Sequence, residues 1–183
     1  MPSLTATITA VLLAMVRPSV SWAPVPNDRI EIIADDIALA AQLHDGAPFT
    51  GPDRVLKLAL AGSVIALHES NLAEKVVSCR YDGDPLRGWE PGRGRSITHF
   101  QLHKGAAWFG HTKAEICRSG PLSAYLALGI LGRHTGVSSP RAAFNAYASG
   151  SAARYSKAAG RQCAMWERAG KFVGISTACW SRL

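Results

Sequence analysis

Asp53-Arg54-Val55-Leu56-Lys57-Leu58-Ala59-Leu60-Ala61-Gly62-Ser63-Val64-Ile65-Ala66-Leu67-His68-Glu69-Ser70 is the stretch that decides the fold. From Val55 to Leu67 it is apolar on nearly every side of a helix, and a helix of that kind has to be surrounded by other elements. Asp53 stands where a capping side chain is favoured. The apolar run stops at His68-Glu69-Ser70. A carboxylate at the end of such a helix is partly withdrawn from water, which raises its pKa toward values useful for releasing a proton near neutral pH. Glu69 is therefore the first candidate catalytic residue, as a general acid. Most Glu residues are simply exposed, so the weight of this reading comes from the company Glu69 keeps.

Toward the N-terminus, Ile30, Ile33, Ile37 and Ala41 recur at helical spacing behind a capping Asn27 or Asp28, and Asp45-Gly46 ends that helix. Ala23-Pro24-Val25-Pro26-Asn27 reads as a stiff linker. Before it, the apolar run Ile8 to Val16 is well short of the roughly 20 residues a helix needs to cross a bilayer, so no transmembrane segment is expected. Met1 to Ala23 resembles a secretion signal in part, with Ser21-Trp22-Ala23 offering small residues for cleavage. It lacks a Lys or Arg before the apolar run and carries Arg17-Pro18 after it. A docking helix that packs on a partner, such as another virion or envelope protein, is slightly preferred to a cleaved signal. The expected organisation is an apolar segment and linker over residues 1–26, then one catalytic domain over 27–183.

Toward the C-terminus the helical period vanishes between Val76 and Thr98, where Asp82-Gly83-Asp84-Pro85, Pro91-Gly92 and Gly94 punctuate the chain. Helical signals resume over Lys104 to Cys117. They return over Pro121 to His134, over Pro140 to Ala148 between a capping Ser139 and a terminating Gly150, and over Ala152 to Ala169. The pattern predicts a mostly helical α+β domain with one small irregular or β lobe inserted after the buried helix.

The chain has 183 residues, 48% of them apolar and 18% charged, enough to build one core and too few for two full domains. The net charge of +7 is unevenly spread: residues 1–70 hold four Lys or Arg against seven Asp or Glu, and residues 71–183 hold sixteen against six. Arg80, Arg87, Arg93, Arg95, Arg133, Arg141 and Arg154 lie in the basic part, which suits an acidic partner such as an anionic glycan or envelope. No dense basic arm, zinc-finger spacing or aromatic RNA-binding signature is present, so nucleic acid is not an expected partner. Cys79, Cys117, Cys163 and Cys179 form no C-x-x-C pair and have no His at ligand spacing, which argues against a metal site. Two disulfides are expected. Of the three connectivities, Cys79 with Cys117 and Cys163 with Cys179 is favoured, which implies an oxidising compartment. His44, His99, His103, His111 and His134 are scattered, and His68 is expected on a different helix face from Glu69.

Three blocks add to the reading. Leu67-His68-Glu69-Ser70, followed by Ser78, then Ser96-Ile97-Thr98-His99-Phe100-Gln101-Leu102, then Ala143-Phe144-Asn145-Ala146-Tyr147-Ala148-Ser149-Gly150, resemble in order the blocks of the soluble lytic transglycosylases with lysozyme-like folds. The likeness spans about residues 53–150. It implies a lysozyme-like fold and cleavage of the bond between N-acetylmuramic acid and N-acetylglucosamine in a peptidoglycan strand. One Glu protonates the glycosidic oxygen and then takes the proton of the muramic 6-hydroxyl, giving a 1,6-anhydro sugar with no cofactor. By position Glu69 takes the acid/base role. Ser78 and Ser70 fall where substrate contacts are expected, Gln101 matches a Gln lining the cleft, and Tyr147 matches a Tyr whose hydroxyl points at the Glu. Trp89 is the best loop aromatic for a sugar-stacking wall, with Tyr125 a second candidate, whereas Trp108 and Phe109 read as core.

The blocks also depart from the family. Ala148 replaces its Asn, and His99-Phe100 replace the residues ahead of its Gln. Two alternatives stay open. A hydrolytic muramidase needs a second carboxylate, for which Asp82, Asp84 and Glu90 are candidates. A binding or structural virion module would keep the cleft without the chemistry. The implied setting is the periplasm or cell wall, reached by secretion or on a phage particle.

Overall fold

A computed structural model of the chain describes residues 2–16, 26–44, 49–72, 96–103, 106–133, 137–154 and 156–180. Among these the protein is mostly helical, with seven α-helices: α1 (Leu4–Met15), α2 (Asn27–Leu43), α3 (Arg54–Ser70), α4 (Lys113–Arg118), α5 (Gly120–Arg133), α6 (Pro140–Ser149) and α7 (Lys157–Val173). The β structure is one short antiparallel pair, β1 (Ser96–Ile97) and β2 (Leu102–His103), in which Ser96 pairs with His103 and Ile97 with Leu102.

The helix expected to be central is central. Every residue of α3 from Leu58 to Leu67 is buried, because α1, α2, α5 and α7 all pack around it. Gly62 permits a close approach by two of them. A Cβ there would come to 3.2 Å from both Ile37 Cγ2 of α2 and Leu128 Cδ2 of α5. At the opposite side Trp166 of α7 is 2% exposed, stacks on Phe49 at 5.2 Å and meets Phe144 edge-on at 6.2 Å. Its indole N–H donates to the Lys57 carbonyl at 3.1 Å, so a large apolar body and a satisfied polar tip fix α7 to α3 together.

The N-terminal segment shares this core. Ile8, Val11 and Leu12 are fully buried against α2 and α3, Thr5 donates to Asp35 at 3.0 Å, and Ser3 caps the helix by accepting from the Ala6 N–H at 3.1 Å. No described helix is long and apolar enough to cross a membrane.

Several expected boundaries hold. Ser139 accepts from the Ala142 N–H at 3.2 Å, and Gly150 ends α6 in the left-handed region at φ 71°. Asp53 occupies the cap position of α3, although its side chain makes no capping bond. Others move. Asn27 is the first helical residue of α2 and Pro26 is its cap, so neither Asn27 nor Asp28 caps it. The helix expected over Lys104 to Cys117 is instead a 3-10 turn at Ala106–Trp108 followed by α4. Phe109 and Gly110, both at positive φ, break the helical path between them. A capping box then restarts it: the Thr112 hydroxyl accepts from the Glu115 N–H, and the Glu115 carboxylate accepts from the Thr112 N–H at 2.7 Å. In consequence Phe109 is not core. It is 43% exposed, with the Arg133 guanidinium 4.4 Å from its ring centroid.

Cys163 of α7 is bonded to Cys179, with Cα atoms 5.7 Å apart, as the sequential pairing expects. The bridge folds the C-terminal segment back on α7. There the Cys179 N–H donates to Glu167 and the Cys179 carbonyl accepts from the Arg141 N–H. Cys117 is disulfide-bonded too, while Cys79 lies outside the described residues.

Candidate active site

The last turn of α3 carries Glu69 out of the core with about a quarter of its side chain, 24%, still open to solvent. The helix cannot continue past Ser70 because Asn71 and Leu72 adopt the left-handed conformation, at φ 48° and 54°. The Asn71 N–H closes the helix on the Leu67 carbonyl at 2.9 Å. Ser70 braces the same exit: its hydroxyl donates to the Ala66 carbonyl at 2.8 Å and accepts from the Leu72 N–H at 3.2 Å. Its polar capacity therefore goes largely to the backbone.

One oxygen of the Glu69 carboxylate is held by two side chains. The amide of Gln162, on α7, donates to Oε1 at 3.0 Å, and Nδ1 of His68 lies 3.0 Å from the same oxygen. On its far side the imidazole meets Arg161, whose Nε–H donates to His68 Nε2 at 3.4 Å. Because Nε2 accepts from Arg161, Nδ1 is the ring nitrogen that carries a proton toward Glu69. Oε2 has no hydrogen-bond partner among the described residues, and no described cluster of His, Cys, Asp or Glu is arranged to hold a metal ion.

The expectation that His68 points away from Glu69 is thus corrected. The last helical turn leaves both side chains room to converge on one oxygen. Gln162 and Arg161 were not anticipated at all. A sequence signal for Gln162 exists: Ala159, Gln162, Cys163, Trp166, Ala169 and Gly170 are the buried positions of α7, and Gln162 is the polar member of that stripe. A fully buried amide there calls for a partner.

The other two blocks meet across 47 residues. Tyr147, on α6, donates its hydroxyl to the backbone carbonyl of Phe100 in the turn joining β1 to β2. The hydroxyl expected to point at Glu69 thus fastens the turn that bears Gln101. Burial first, and then the negative charge of Glu69, push the Tyr147 pKa well above its usual 10, so it stays a neutral donor. Gln101 sits at φ 54° with its amide 3.3 Å from the Thr98 carbonyl, folded over its own turn.

His99 and Phe100 lie within this turn and turn their rings inward. Phe100 is fully buried and His99 is 4% exposed, with ring centroids 4.1 Å apart. Burial lowers the His99 pKa to about 3, so it is uncharged through the physiological range. Trp108 is only partly buried and donates to the Leu102 carbonyl at 3.1 Å, tying the 3-10 turn to β2. Tyr125 is 40% exposed and its ring lies 4.8 Å from that of His44. Ser78, Trp89, Asp82, Asp84 and Glu90 lie outside the described residues, as do Arg80, Arg87, Arg93, Arg95 and His134.

No family model, curated protein or solved structure matches the chain.

Proposed function

We propose that this protein cleaves the glycan strand of peptidoglycan as a lytic transglycosylase, with Glu69 as its single acid/base and a lysozyme-like arrangement of helices. The observation that carries the reading is the state of Glu69: a carboxylate at the tip of a buried helix, steadied on one oxygen by Gln162 and His68, with the other oxygen unpartnered among the described residues. The link from Tyr147 to Phe100 adds support, since it joins two of the three sequence blocks in space.

In the proposed reaction Glu69 gives its proton to the oxygen bridging N-acetylmuramic acid and N-acetylglucosamine as the bond from that oxygen to the muramic anomeric carbon breaks. The 6-hydroxyl of the same muramic residue then bonds to the anomeric carbon and returns its proton to Glu69. The products are a 1,6-anhydromuramic end and a free N-acetylglucosamine hydroxyl. No water is consumed and no second carboxylate is needed. The residues between 72 and 96, which include Ser78 and Trp89, are the proposed source of further glycan contacts. The Cys163–Cys179 bridge suits an oxidising setting such as the periplasm, the cell wall or a virion.

A second reading is a glycan-binding module without turnover, favoured by the inward fold of the Gln101 amide onto Thr98 and by Ala148 in place of an Asn. Mass analysis of muropeptides released from purified sacculi separates the possibilities. Anhydro ends are expected. Reducing ends would indicate a muramidase, and sacculi bound but uncut would indicate the binding module.

A further inference from the structure

We infer that Gln162, His68 and Arg161 form a positioning device that confines the acidic proton of Glu69 to Oε2. This rests on the proposed acid/base role of Glu69 and goes beyond it, because Gln162 and Arg161 lie outside the sequence blocks that suggested the role, and His68, inside the first block, has no part in it there.

A carboxylic acid that must deliver a proton in one direction has two oxygens on which to carry it. Here both donors converge on Oε1: the Gln162 amide at 3.0 Å and His68 Nδ1 at 3.0 Å. An oxygen already accepting two hydrogen bonds is a poor place for a proton, since an O–H there would face two N–H groups. Oε2 accepts none from the described residues and remains the site for the proton. Arg161 completes the device at its outer end. Its Nε–H points at His68 Nε2 at 3.4 Å, which selects the tautomer that donates from Nδ1. Without that selection the ring could turn an acceptor toward the carboxylate, and the restriction on Oε1 would be lost.

Gln162 itself is a poor structural residue. It is fully buried on α7, and its own Oε1 has no partner among the described residues, so half of its hydrogen-bonding capacity is unused. A Met or Leu would fill the same space without that cost. What the amide adds is its bond to Glu69, made across 93 residues of sequence. Arg161 and Gln162 are adjacent on α7, one exposed and one buried, so a single turn of helix reaches both ends of the His68–Glu69 pair.

The test uses the full chain with glutamate labelled at the side-chain carboxyl carbon, the Glu69 resonance being assigned by its loss in Glu69→Gln. Gln162→Met keeps the bulk and removes the donor, and His68→Phe does the same for the second donor. Each substitution should move the Glu69 carboxyl carbon resonance at neutral pH, because a hydrogen bond to that carboxyl has been lost. On sacculi, Gln162→Met should lower the maximal rate of anhydromuropeptide release about tenfold with the half-saturating amount of sacculi unchanged, the pattern of a defect confined to the transition state. His68→Gln, which can still donate, should recover part of the rate lost in His68→Phe. A Glu69 carboxyl resonance at the same position in the wild type and both folded donor variants would overturn the inference, whatever the lytic assay gives. Conversely, shifted carboxyl resonances in variants of a protein that cuts no sacculi would uphold the device and overturn the catalytic reading. If Gln162→Met fails to fold, the His68 pair carries the same test.

Discussion

Two helix-borne carboxyls, Asp36 on α2 and Glu69 on α3, are treated in opposite ways by the fold. Asp36 on α2 is partly buried, receives no hydrogen bond from a described residue, and sits so close to Gly120 that a Cβ there would overlap its carboxyl. Burial first, and then the neighbouring charge of Asp35, raise its pKa from 3.8 to about 6. Glu69 on α3 is also partly buried, but two donors from two helices converge on one of its oxygens. The contrast teaches that a raised pKa alone does not mark a catalytic acid. Asp36 is packed against Gly120, the first residue of α5, and no donor from a described residue reaches it. The Glu69 region spends buried donors on a single oxygen and leaves the other unpartnered.

Perturbing α7 gives the largest effect by which to sharpen this comparison. Trp166 lies one helical turn beyond Gln162 and fixes that helix against α3, so Trp166→Ala should cost about 3 to 5 kcal/mol of stability in denaturant unfolding. It should also free Glu69 from Gln162, leaving the Asp36 contact between α2 and α5 intact. The next largest effect concerns the same side of the molecule. The Cys163–Cys179 bridge closes a 16-residue separation, and replacing both cysteines by serine should cost about 3 kcal/mol, read as a lower thermal midpoint under oxidising conditions only. Tyr147→Phe removes one bond, from α6 to the Phe100 carbonyl, and should cost about 1 kcal/mol while loosening the turn that carries Gln101.

The remaining effect belongs to Asp36 and is distinguished by its sign. Its folded pKa lies above the unfolded value, so the folded state holds the proton more tightly, and stability falls as the pH rises from about 4 to about 6. Above that the penalty is complete. Asp36→Asn should therefore melt higher than the wild type at pH 7.5, and the two should converge near pH 4. A variant less stable than the wild type at pH 7.5 would mean that the Asp36 charge has a partner this account lacks.

What was legible in the sequence follows what is local. The all-round apolar face of α3, the Ser139 cap and the Gly150 terminator are written in consecutive residues, and the fold obeys them. Glu69 was legible for the same reason, as the point where an apolar run turns polar. The shift of the α2 cap and the split of the Lys104–Cys117 helix arose where local signals compete. Pro26 precedes Asn27, and Phe109-Gly110 turn left-handed before the Thr112–Glu115 capping box. The partners of Glu69 were not legible because they depend on tertiary contact. Gln162 lies 93 residues away, and His68, which a regular helix would turn from its neighbour, bends toward it at the helix end. The bond from Tyr147 was not legible either, because its partner is a backbone carbonyl, which no side-chain pattern encodes.

The most direct measurement compares Glu69→Gln with Asp36→Asn, both folded, on purified sacculi beside the wild type. General acid–base catalysis is typically worth about a hundredfold to ten-thousandfold, so Glu69→Gln should lose at least about a hundredfold in release of anhydromuropeptides, with Asp36→Asn equal to the wild type. Undiminished release by Glu69→Gln, or an equal loss in both variants, would contradict the assignment of the proton to Glu69.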